Sequence, residues 1–307
     1  SVNKKDFNAA IFNEYVKNEN VSFQQKLLSE GTWAFESKEV LNIKRKVEKK
    51  GIKLKEWNIQ IYRGILTGYN EAFIIDRKTR DELVAKDPKS AEILKPILRG
   101  RDIQRYYADF QDLWLIGTHN GYSLTPRIEV DNYPAIKEFL NLHLEQIEKR
   151  YDKGDTPYNL RNCAYWQDFE KPKIIYPNMT KFLPFIIDKN SFYTNQKCFI
   201  LAGENLFFLC GFLNSNLFKF CFRDNFPELL GGTRELSKVF FEEIPVLKIS
   251  PEQENPFQNL VETITHEKQK NPDADTSELE AEIDKLVYSL YELTPEEIAI
   301  VEESVKR

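Results

Sequence analysis

The stretch that decides the fold is residues 57–76, which read WNIQIYRGILTGYNEAFIID. The sequence before Trp57 is polar and helical in pattern. After it, short runs rich in Ile, Tyr and Phe alternate with Gly, Asn and Asp, which is typical of strands joined by tight turns. The same texture returns in LWLIGTHNGYS, KPKIIYPNMTKFLPFIIDK and SFYTNQKCFILA. We therefore predict that the strands of a sheet-containing domain begin here.

Two polar helical patterns lie between these strands, TRDELVAKDPKSAEILKPIL and YPAIKEFLNLHLEQIEKRYDKG. Helices and strands are interleaved irregularly, without the βα repeat of a doubly wound parallel sheet. The sequence predicts an α+β fold with a mixed, largely antiparallel sheet, a helical N-terminal lead-in and a C-terminal helical tail. The pentapeptides FIIDR (73–77) and FIIDK (185–189) match while their flanks differ, so we interpret them as two similar strand ends.

The predicted domain limits follow from these changes of pattern: residues 1–36 form a helical lead-in, residues 37–250 the main domain and residues 251–307 an acidic helical tail packed on it. A basic helix is expected between Ser37, a suitable N-cap, and Gly51, a suitable C-cap. In the tail, apolar residues recur every three or four positions, which predicts an amphipathic helix with the stripe Leu279, Ile283, Leu286, Val287 and Leu290.

The charge of the chain is divided unevenly. The net charge is −5, but residues 1–250 carry 38 Lys and Arg against 33 Asp and Glu, and residues 251–307 carry 5 against 15. The first part is mildly basic and can meet a polyanion, whereas the tail should lie away from phosphates or on the protein's own basic surface.

Membrane and metal classes have no support in the sequence. The most apolar stretch, residues 205–222, contains Asn214, Asn216 and Lys219, so we expect a buried helix and a cytoplasmic protein. The three histidines are scattered and predict no metal site. The cysteines lack metal-type spacing and are expected to be reduced, and most of them to lie in the core: Cys163, Cys198, Cys210 and Cys221.

Catalytic motifs are missing as well. There is no glycine-rich S-adenosylmethionine loop, and the Pro-Pro pair of an amino-methylating tetrapeptide occurs nowhere; the nearest string, at 255–258, reads NPFQ. The trio Glu36-Ser37-Lys38 matches half of a metal-dependent nuclease motif by composition alone. We predict no catalytic residue in this chain.

Four glycine-containing loops, residues 63–70, 98–101, 117–122 and 231–234, combine basic, amide and aromatic side chains. Glycine lets backbone N–H groups approach phosphates, Arg and Lys neutralise them, and Arg, Asn and Tyr can read or stack on bases. This combination favours nucleic-acid binding. Each loop also has a purely structural interpretation: the first and third are also typical of hairpin turns, and Arg99 and Arg101 could simply pair with Asp102.

Several ordered segments share the wording of one family. They are RGILTGYNEAFIID (63–76), ILKPILRGRDI (93–103), FEKPKIIYP (169–177), YTN (193–195), GFLNS (211–215) and EEIPV (242–246). Together they resemble the TaqI-like C-terminal specificity, or target recognition, domain of adenine-specific DNA methyltransferases and of type IIG and IIS restriction-modification enzymes. The tail segment 283–294 resembles the closing helix of such enzymes.

This resemblance implies a duplex-DNA recognition module that positions DNA for N6-adenine methylation by a catalytic domain upstream. The chain begins at Ser1 and its only methionine is Met179, so we expect a piece of a longer protein. The parent would use S-adenosylmethionine, with Mg²⁺ if it also cleaves DNA, and this fragment would hold neither. The competing hypothesis is a protein-interaction or scaffold module without direct DNA contact.

Candidate DNA contacts follow from residue chemistry, since recognition residues in such a family vary with the target. Basic side chains are predicted to contact phosphates: Lys44, Arg45, Lys46, Arg63, Lys181 and Arg234. Base-edge contacts are expected from Arg99, Arg101 and Asn120. Loop residues able to stack or to hydrogen-bond complete the set: Tyr69, Asn70 and Thr233.

Overall fold

The computed structural model describes residues 37–305, so the predicted lead-in over residues 1–36 lies outside the described residues. The described residues fall into two compact units, residues 37–46 in one and residues 47–305 in the other. The predicted domain limits, which fall elsewhere, stay a prediction.

The helices, in chain order, are α1 (Lys38–Lys50), α2 (Asn70–Phe73), α3 (Arg77–Lys86), α4 (Pro134–Asn141), α5 (Leu144–Glu148), α6 (Leu206–Asn214), α7 (Asn216–Phe222), α8 (Lys238–Phe241), α9 (Pro251–Lys270), α10 (Ser277–Leu290) and α11 (Pro295–Val305). The strands are β1 (Ile52–Lys53), β2 (Ile59–Arg63), β3 (Ile74–Asp76), β4 (Leu94–Leu98), β5 (Leu113–Ile116), β6 (Lys173–Pro177), β7 (Met179–Thr180), β8 (Ile186–Asp188), β9 (Tyr193–Thr194), β10 (Cys198–Gly203), β11 (Arg234–Glu235) and β12 (Pro245–Val246).

Two four-stranded sheets form the centre of the second unit. One has the order β2-β10-β6-β8 and the other β3-β5-β4-β9, and two short ribbons pair β1 with β12 and β7 with β11. The only parallel pair among the described strands is β4 with β9, where Ile97 lies beside Tyr193. The prediction of a mixed, largely antiparallel α+β fold is confirmed.

In the first sheet, the two central strands and the edge strand β8 are buried, and the edge strand β2 is partly exposed. β6 and β10, at the centre of the first sheet, are buried along almost their whole length, whereas the edge strand β2 alternates buried and exposed positions. A central strand that is covered on both faces needs a continuous apolar run, and an edge strand with one solvated face needs alternation. Helix α6 packs against β6 and β8 on one side of this sheet.

The apolar stretch 205–222 forms two helices, α6 and α7, rather than one. Ser215 separates them and caps α7, because its Oγ accepts a hydrogen bond from the Phe218 N–H at 3.1 Å. Asn214 is completely buried, and its amide donates to the Phe185 carbonyl oxygen at 2.9 Å. The expectation of a buried helical segment is confirmed. Within residues 37–305, no helix combines the length and apolar character required to cross a membrane.

The acidic tail covers these buried helices. α9 packs on α6, α10 on α6, α7 and α9, and α11 on α7. In the predicted stripe, Ile283 and Val287 are completely buried, and the other three members are half-buried. Close packing requires Gly211 in α6, since a Cβ there would lie 3.0 Å from the Phe257 ring of α9.

Residues 79–98, predicted as one helix, contain three elements. α3 ends at Lys86, Pro88–Glu92 form a 3₁₀ turn, and Leu94–Leu98 is strand β4. The helix prediction is wrong for this last part, because Pro88 and Pro96 interrupt helical hydrogen bonding and β4 pairs with β5 and β9. The second helical pattern is confirmed for residues 134–148, which form α4 and α5, whereas residues 149–154 are not helical.

Helix α1 has the predicted ends. The Ser37 Oγ accepts a hydrogen bond from the Val40 N–H at 3.3 Å, and the helix stops before Gly51. Gly51 is required for a different reason than the predicted cap. A Cβ at this position would lie 2.5 Å from the Pro245 carbonyl carbon, so glycine is what lets the chain pass β12.

The two matching pentapeptides end strands in different sheets, as predicted, but their aspartates differ in environment. Asp76 is exposed and caps α3, where its Oδ1 accepts from the Thr79 N–H at 2.8 Å. Asp188 is buried and pairs with Lys173 Nζ at 2.5 Å. The four cysteines are all buried and free, which confirms the expectation that they lie in the core.

Candidate nucleic-acid interface

An open groove of about 900 Å³ lies between the loop that follows β4 and the connections around β7 and β9. Five basic side chains line it: Arg99, Arg101, Arg105, Lys197 and Lys219. In the described part of the chain, no Asp or Glu lines this groove. We call it the basic groove. A concave surface with cations and no carboxylates concentrates a positive potential and attracts a polyanion.

Arg99 and Arg101 lie on a tight turn at the end of β4. Asp102, which is 3% exposed, accepts hydrogen bonds from the Arg99 backbone N–H at 2.8 Å and from its Nε at 3.0 Å, and Arg99 Nη2 lies 2.8 Å from the other carboxylate oxygen. This bidentate pair holds Arg99 in one orientation. Arg101 is exposed and its guanidinium has no hydrogen-bond or ion-pair partner within residues 37–305, so it is available to a ligand.

Lys197 lies opposite this turn, on the connection between β9 and β10. Asn195 holds the connection in a tight turn, because its Oδ1 accepts from the Lys197 N–H at 3.1 Å and its carbonyl oxygen accepts from the Cys198 N–H at 3.0 Å. The Lys197 carbonyl oxygen lies close to Gly100, at 3.2 Å from where a Cβ would be. Lys197 itself is exposed. The turn therefore presents its ammonium group beside the Arg99–Asp102 turn.

The ribbon of β7 and β11 forms one rim of the groove. Past β7, Lys181 and Phe182 are exposed, and Leu230 on the opposite loop is 98% exposed. Gly231 and Gly232 have φ of +73° and +78°, the left-handed conformation that makes this tight turn possible without strain. We call residues 179–182 and 229–233 together the ribbon tip.

Three of the predicted contacts are located at this ribbon, and they differ in exposure. Lys181 is exposed. Thr233 is half-buried. Arg234 is 9% exposed, and its guanidinium bonds to the Phe226 carbonyl oxygen at 3.0 Å and to Asp224 and Glu228 at 2.9 Å each. These bonds give Arg234 a structural role in closing the 224–234 loop, and its DNA contact stays a prediction.

Four other predicted contacts lie outside the lining of the basic groove. Arg63 is exposed and donates from Nε to the Gln196 carbonyl oxygen at 3.0 Å. Tyr69 is half-buried against the core of the second sheet, and Asn70 accepts from Thr67 Oγ1 at 2.6 Å. The DNA contacts predicted for Arg63, Tyr69 and Asn70 stay predictions.

Asn120 is the fourth of these. Its side-chain oxygen accepts from the Asp155 N–H at 2.9 Å, and its amide nitrogen donates to Asp155 and to Asn162. Asn120-Gly121 does not form the type I′ turn of a two-residue hairpin, because Gly121 has φ +87° while Asn120 lacks the positive φ that this turn requires.

Lys44, Arg45 and Lys46 lie on α1 in the first compact unit. Arg45 is exposed, and the two lysines are half-buried. Their predicted phosphate contacts stay predictions.

Three groove residues were missed by sequence reasoning: Arg105, Lys197 and Lys219. A signal for Lys219 was present, since it is a lone charge inside the otherwise apolar stretch 205–222. A lysine retained in such a segment either reaches the surface or binds a partner. Burial and the nearby Arg105 lower the pKa of Lys219 to about 8. Arg105 and Lys197 have no comparable sequence signal, because their neighbours are ordinary polar residues.

Residues 95–246 match the family model described as "TaqI-like C-terminal specificity domain". This chain carries a TaqI-like specificity domain. All five basic residues of the groove fall inside the matched segment of the specificity domain, whereas Arg63, Tyr69 and Asn70 precede it. The resemblance inferred from the sequence is confirmed.

Relatives of known class agree with this assignment. The type II methyltransferase M.BstVI of Geobacillus stearothermophilus is 21% identical over 291 residues, which covers 92% of this chain and 48% of the relative. A solved structure of the type IIL restriction-modification enzyme MmeI in complex with DNA has a TM-score of 0.60 at 13% identity, covering 83% of this chain and 36% of that one.

The type IIG restriction endonuclease BpuSI has a TM-score of 0.50 at 14% identity, covering 82% of this chain and 33% of that one. The specificity domain and its flanking helices thus span about half the length of the curated relative and about a third of each solved structure.

Proposed function

We propose that this chain recognises duplex DNA sequence-specifically as the target-recognition module of a restriction-modification enzyme, and that the basic groove faces the DNA. One observation supports this most strongly: five basic side chains from separate parts of the specificity domain meet in one groove, and no carboxylate of the described residues lines it. Phosphate neutralisation supplies a large share of the affinity of DNA-binding proteins, and clustered cations provide it.

Within the groove, different residues suit different contacts. Lys197 is exposed on a flexible stem, so it suits a phosphate contact. Arg101 is exposed and has no partner among the described residues, and a guanidinium can bind the O6 and N7 acceptors of guanine through two hydrogen bonds. We therefore assign Arg101 to base readout and Lys197 to backbone binding.

The ribbon tip adds a second kind of contact. Met179, Phe182 and Leu230 are exposed by 47%, 81% and 98%, beside the cationic Lys181. Exposed apolar side chains next to a lysine are suited to a DNA groove, where thymine methyl groups and base steps can accept apolar contacts and both flanking strands carry phosphates. The tip would thus enter the duplex while the basic groove binds a strand.

Catalysis would be carried out by the rest of the parent protein. The relative M.BstVI is a methyltransferase, so the parent would use S-adenosylmethionine, with Mg²⁺ if it also cleaves DNA. This chain has no glycine-rich loop of the type that binds S-adenosylmethionine. Its task would be to place the target adenine for N6 methylation by the upstream domain, where the base leaves the stack.

The test measures binding of the 307-residue chain to a labelled duplex pool of random sequence, about 30 base pairs long, by fluorescence anisotropy between about 50 and 200 mM salt. We expect the logarithm of the affinity to fall linearly with the logarithm of the salt concentration. Lys197→Ala should make this slope shallower by about 1, because one phosphate contact is lost. Arg101→Ala should instead broaden the sequence selected from the pool at one position, at a cost of about 1–3 kcal/mol.

Lys149→Ala is the matched control, since Lys149 is a 72% exposed lysine whose partner among the described residues is Glu145, four residues before it. It should leave the slope unchanged. Absence of binding at about 50 mM salt would favour the protein-interaction alternative. Equal losses on every DNA sequence for Arg101→Ala and Lys197→Ala would contradict base readout by Arg101.

A further inference from the structure

Two cations of the basic groove lie next to each other. Arg105 comes from the loop after β4 and Lys219 from helix α7, and both line the groove. The Lys219 ammonium has no hydrogen-bond or ion-pair partner within residues 37–305, although the side chain is only partly exposed. A half-buried ammonium without an acceptor is costly, and an anion arriving from the groove would supply the acceptor.

Arg105 is held in place by the acidic tail. Its Nε donates to Glu280 Oε2 of α10 at 2.5 Å, and its Nη1 donates to the Asn214 carbonyl oxygen at the end of α6 at 2.5 Å. These two bonds use the Nε and Nη1 donors of the guanidinium. Nη2 has no acceptor among the described residues, so Arg105 keeps hydrogen-bond donors for a ligand.

The carboxylates around this pair lie on the other side. Glu280 and Asp284 line a separate cavity with Glu302, on the tail side of Arg105, and neither lines the basic groove. Arg105 lines both spaces, so it lies between the groove, which is bordered by cations, and the cavity that is bordered by these carboxylates. An anion that enters from the groove meets two cations before any carboxylate of the described residues.

We propose that Arg105 and Lys219 form an anion-binding site in the basic groove that binds one DNA phosphate, and that Glu280 of the acidic tail positions Arg105. This inference rests on the proposed function and assigns the acidic tail a role in positioning Arg105. A phosphate oxygen would accept from the Arg105 guanidinium and the Lys219 ammonium together, in charge-assisted hydrogen bonds. The tail would thus contribute to DNA binding in spite of its negative charge.

The positioning role predicts an effect opposite to that of net charge. Glu280→Gln removes one negative charge, which by long-range electrostatics alone should tighten DNA binding. We expect it to weaken binding about tenfold, because Arg105 loses its charged partner and its fixed orientation. Glu282→Gln in the same helix is the control: within the described residues Glu282 pairs with Lys285, so its loss should leave affinity unchanged or slightly improved.

Lys219 gives a second and independent readout. The groups that face it are Arg105, Glu280 and Asp284, and its pKa is about 8. Phosphate binding requires the ammonium form, so affinity of the wild-type chain should fall about tenfold between about pH 7 and pH 9. Lys219→Met should remove this pH dependence and make the salt slope shallower by about 1, and Lys219→Arg should restore the slope without the pH dependence.

The experiment measures affinity for the duplex pool by anisotropy at three pH values spanning the Lys219 pKa, with thermal melting to confirm that each variant is folded. Inorganic phosphate at constant ionic strength distinguishes the source of the anion. If inorganic phosphate competes with DNA in the wild-type chain and not in Lys219→Met, the anion-binding site binds any phosphate group. Competition in neither chain, with the pH and slope effects present, means that only DNA phosphate is bound.

The inference is overturned if Glu280→Gln binds DNA as tightly as Glu282→Gln, or if Lys219→Met keeps the pH dependence and slope of the wild type. In either case the wild-type chain still binds DNA with a steep salt dependence, so the proposed function stands. A wild-type chain that does not bind DNA at about 50 mM salt overturns both.

Discussion

Replacing Asp188 with Asn tests the buried charge pair that joins β6 to β8. The Lys173 and Asp188 side chains are 0% and 1% exposed, and Nζ lies 2.5 Å from Oδ2. Lys173 also donates to the Phe169 carbonyl oxygen, and Asp188 accepts from the Phe192 N–H at 2.9 Å. The amide introduced by Asp188→Asn keeps an acceptor for the backbone but leaves a buried ammonium without a counter-charge. We expect a loss of about 3–5 kcal/mol in the free energy of unfolding.

The assay is equilibrium unfolding in urea near neutral pH, followed by fluorescence. Asp76→Asn is the matched control, because Asp76 ends the similar strand FIIDR but is an exposed N-cap, where Asn is as good as Asp. It should change the free energy of unfolding by less than about 0.5 kcal/mol. The double variant Lys173→Met with Asp188→Asn should lose less than the sum of the single variants by about 2 kcal/mol.

The stability loss of Asp188→Asn should also depend on pH in a definite direction. Burial lowers the pKa of Lys173 even beside Asp188. Without the carboxylate this folded-state pKa falls further below the unfolded value, so the unfolded state binds more protons and stability rises with pH. The deficit of Asp188→Asn should therefore shrink from about pH 7 to pH 9. A deficit as small as that of Asp76→Asn, or single-variant losses that are simply additive, would refute the charge-pair argument.

Two further predictions concern the tail and the sheet edge. Burial raises the pKa of Asp284 to about 6 from an ordinary value of 3.8, so its favourable contribution to stability is complete below pH 3.8 and is lost as the pH rises through 6. Relative to Asp284→Asn, the wild-type chain should lose about 3 kcal/mol in the free energy of unfolding between about pH 3.5 and pH 7, measured by urea titration. Parallel stability-against-pH curves for the two chains would contradict a buried carboxyl. A Cβ on Gly64 would lie 2.0 Å from the Asn195 carbonyl oxygen, so Gly64→Ala should cost about 3 kcal/mol of stability. A Cβ on Gly232 would have no atom of the described residues within 4 Å, so Gly232→Ala should cost only about 1 kcal/mol, for its positive φ. Equal melting temperatures of the two variants would show that the strand end adapts without cost.

Local patterns carried much of the secondary structure. The alternation in β2, the apolar stretch of α6 and α7 and the stripe of α10 are properties of short segments, so the sequence is enough to predict them. Residues 94–98 show where this stops. Their composition suits a helix as well as a strand, and only pairing with β5 and β9 selects the strand.

The candidate site was predictable only in part. Arg99 and Arg101 belong to a glycine-containing turn with a recognisable local pattern, and both line the basic groove. Arg234 belongs to a similar pattern, yet it is buried and bonded to Asp224 and Glu228. A local motif specifies the residue types of a loop, but not which of its cations remain free of protein partners.

By itself, the sequence determined the fold class, the specificity-domain family and the separation of a mildly basic part from an acidic tail, since each is a sum or a pattern along the chain. The tertiary structure alone decided which cations meet. Arg105 and Lys219 become neighbours because β4 lies between β5 and β9 while α7 is packed under α10 and α11. Such proximity depends on strand order and helix packing, which are long-range contacts that no local pattern encodes.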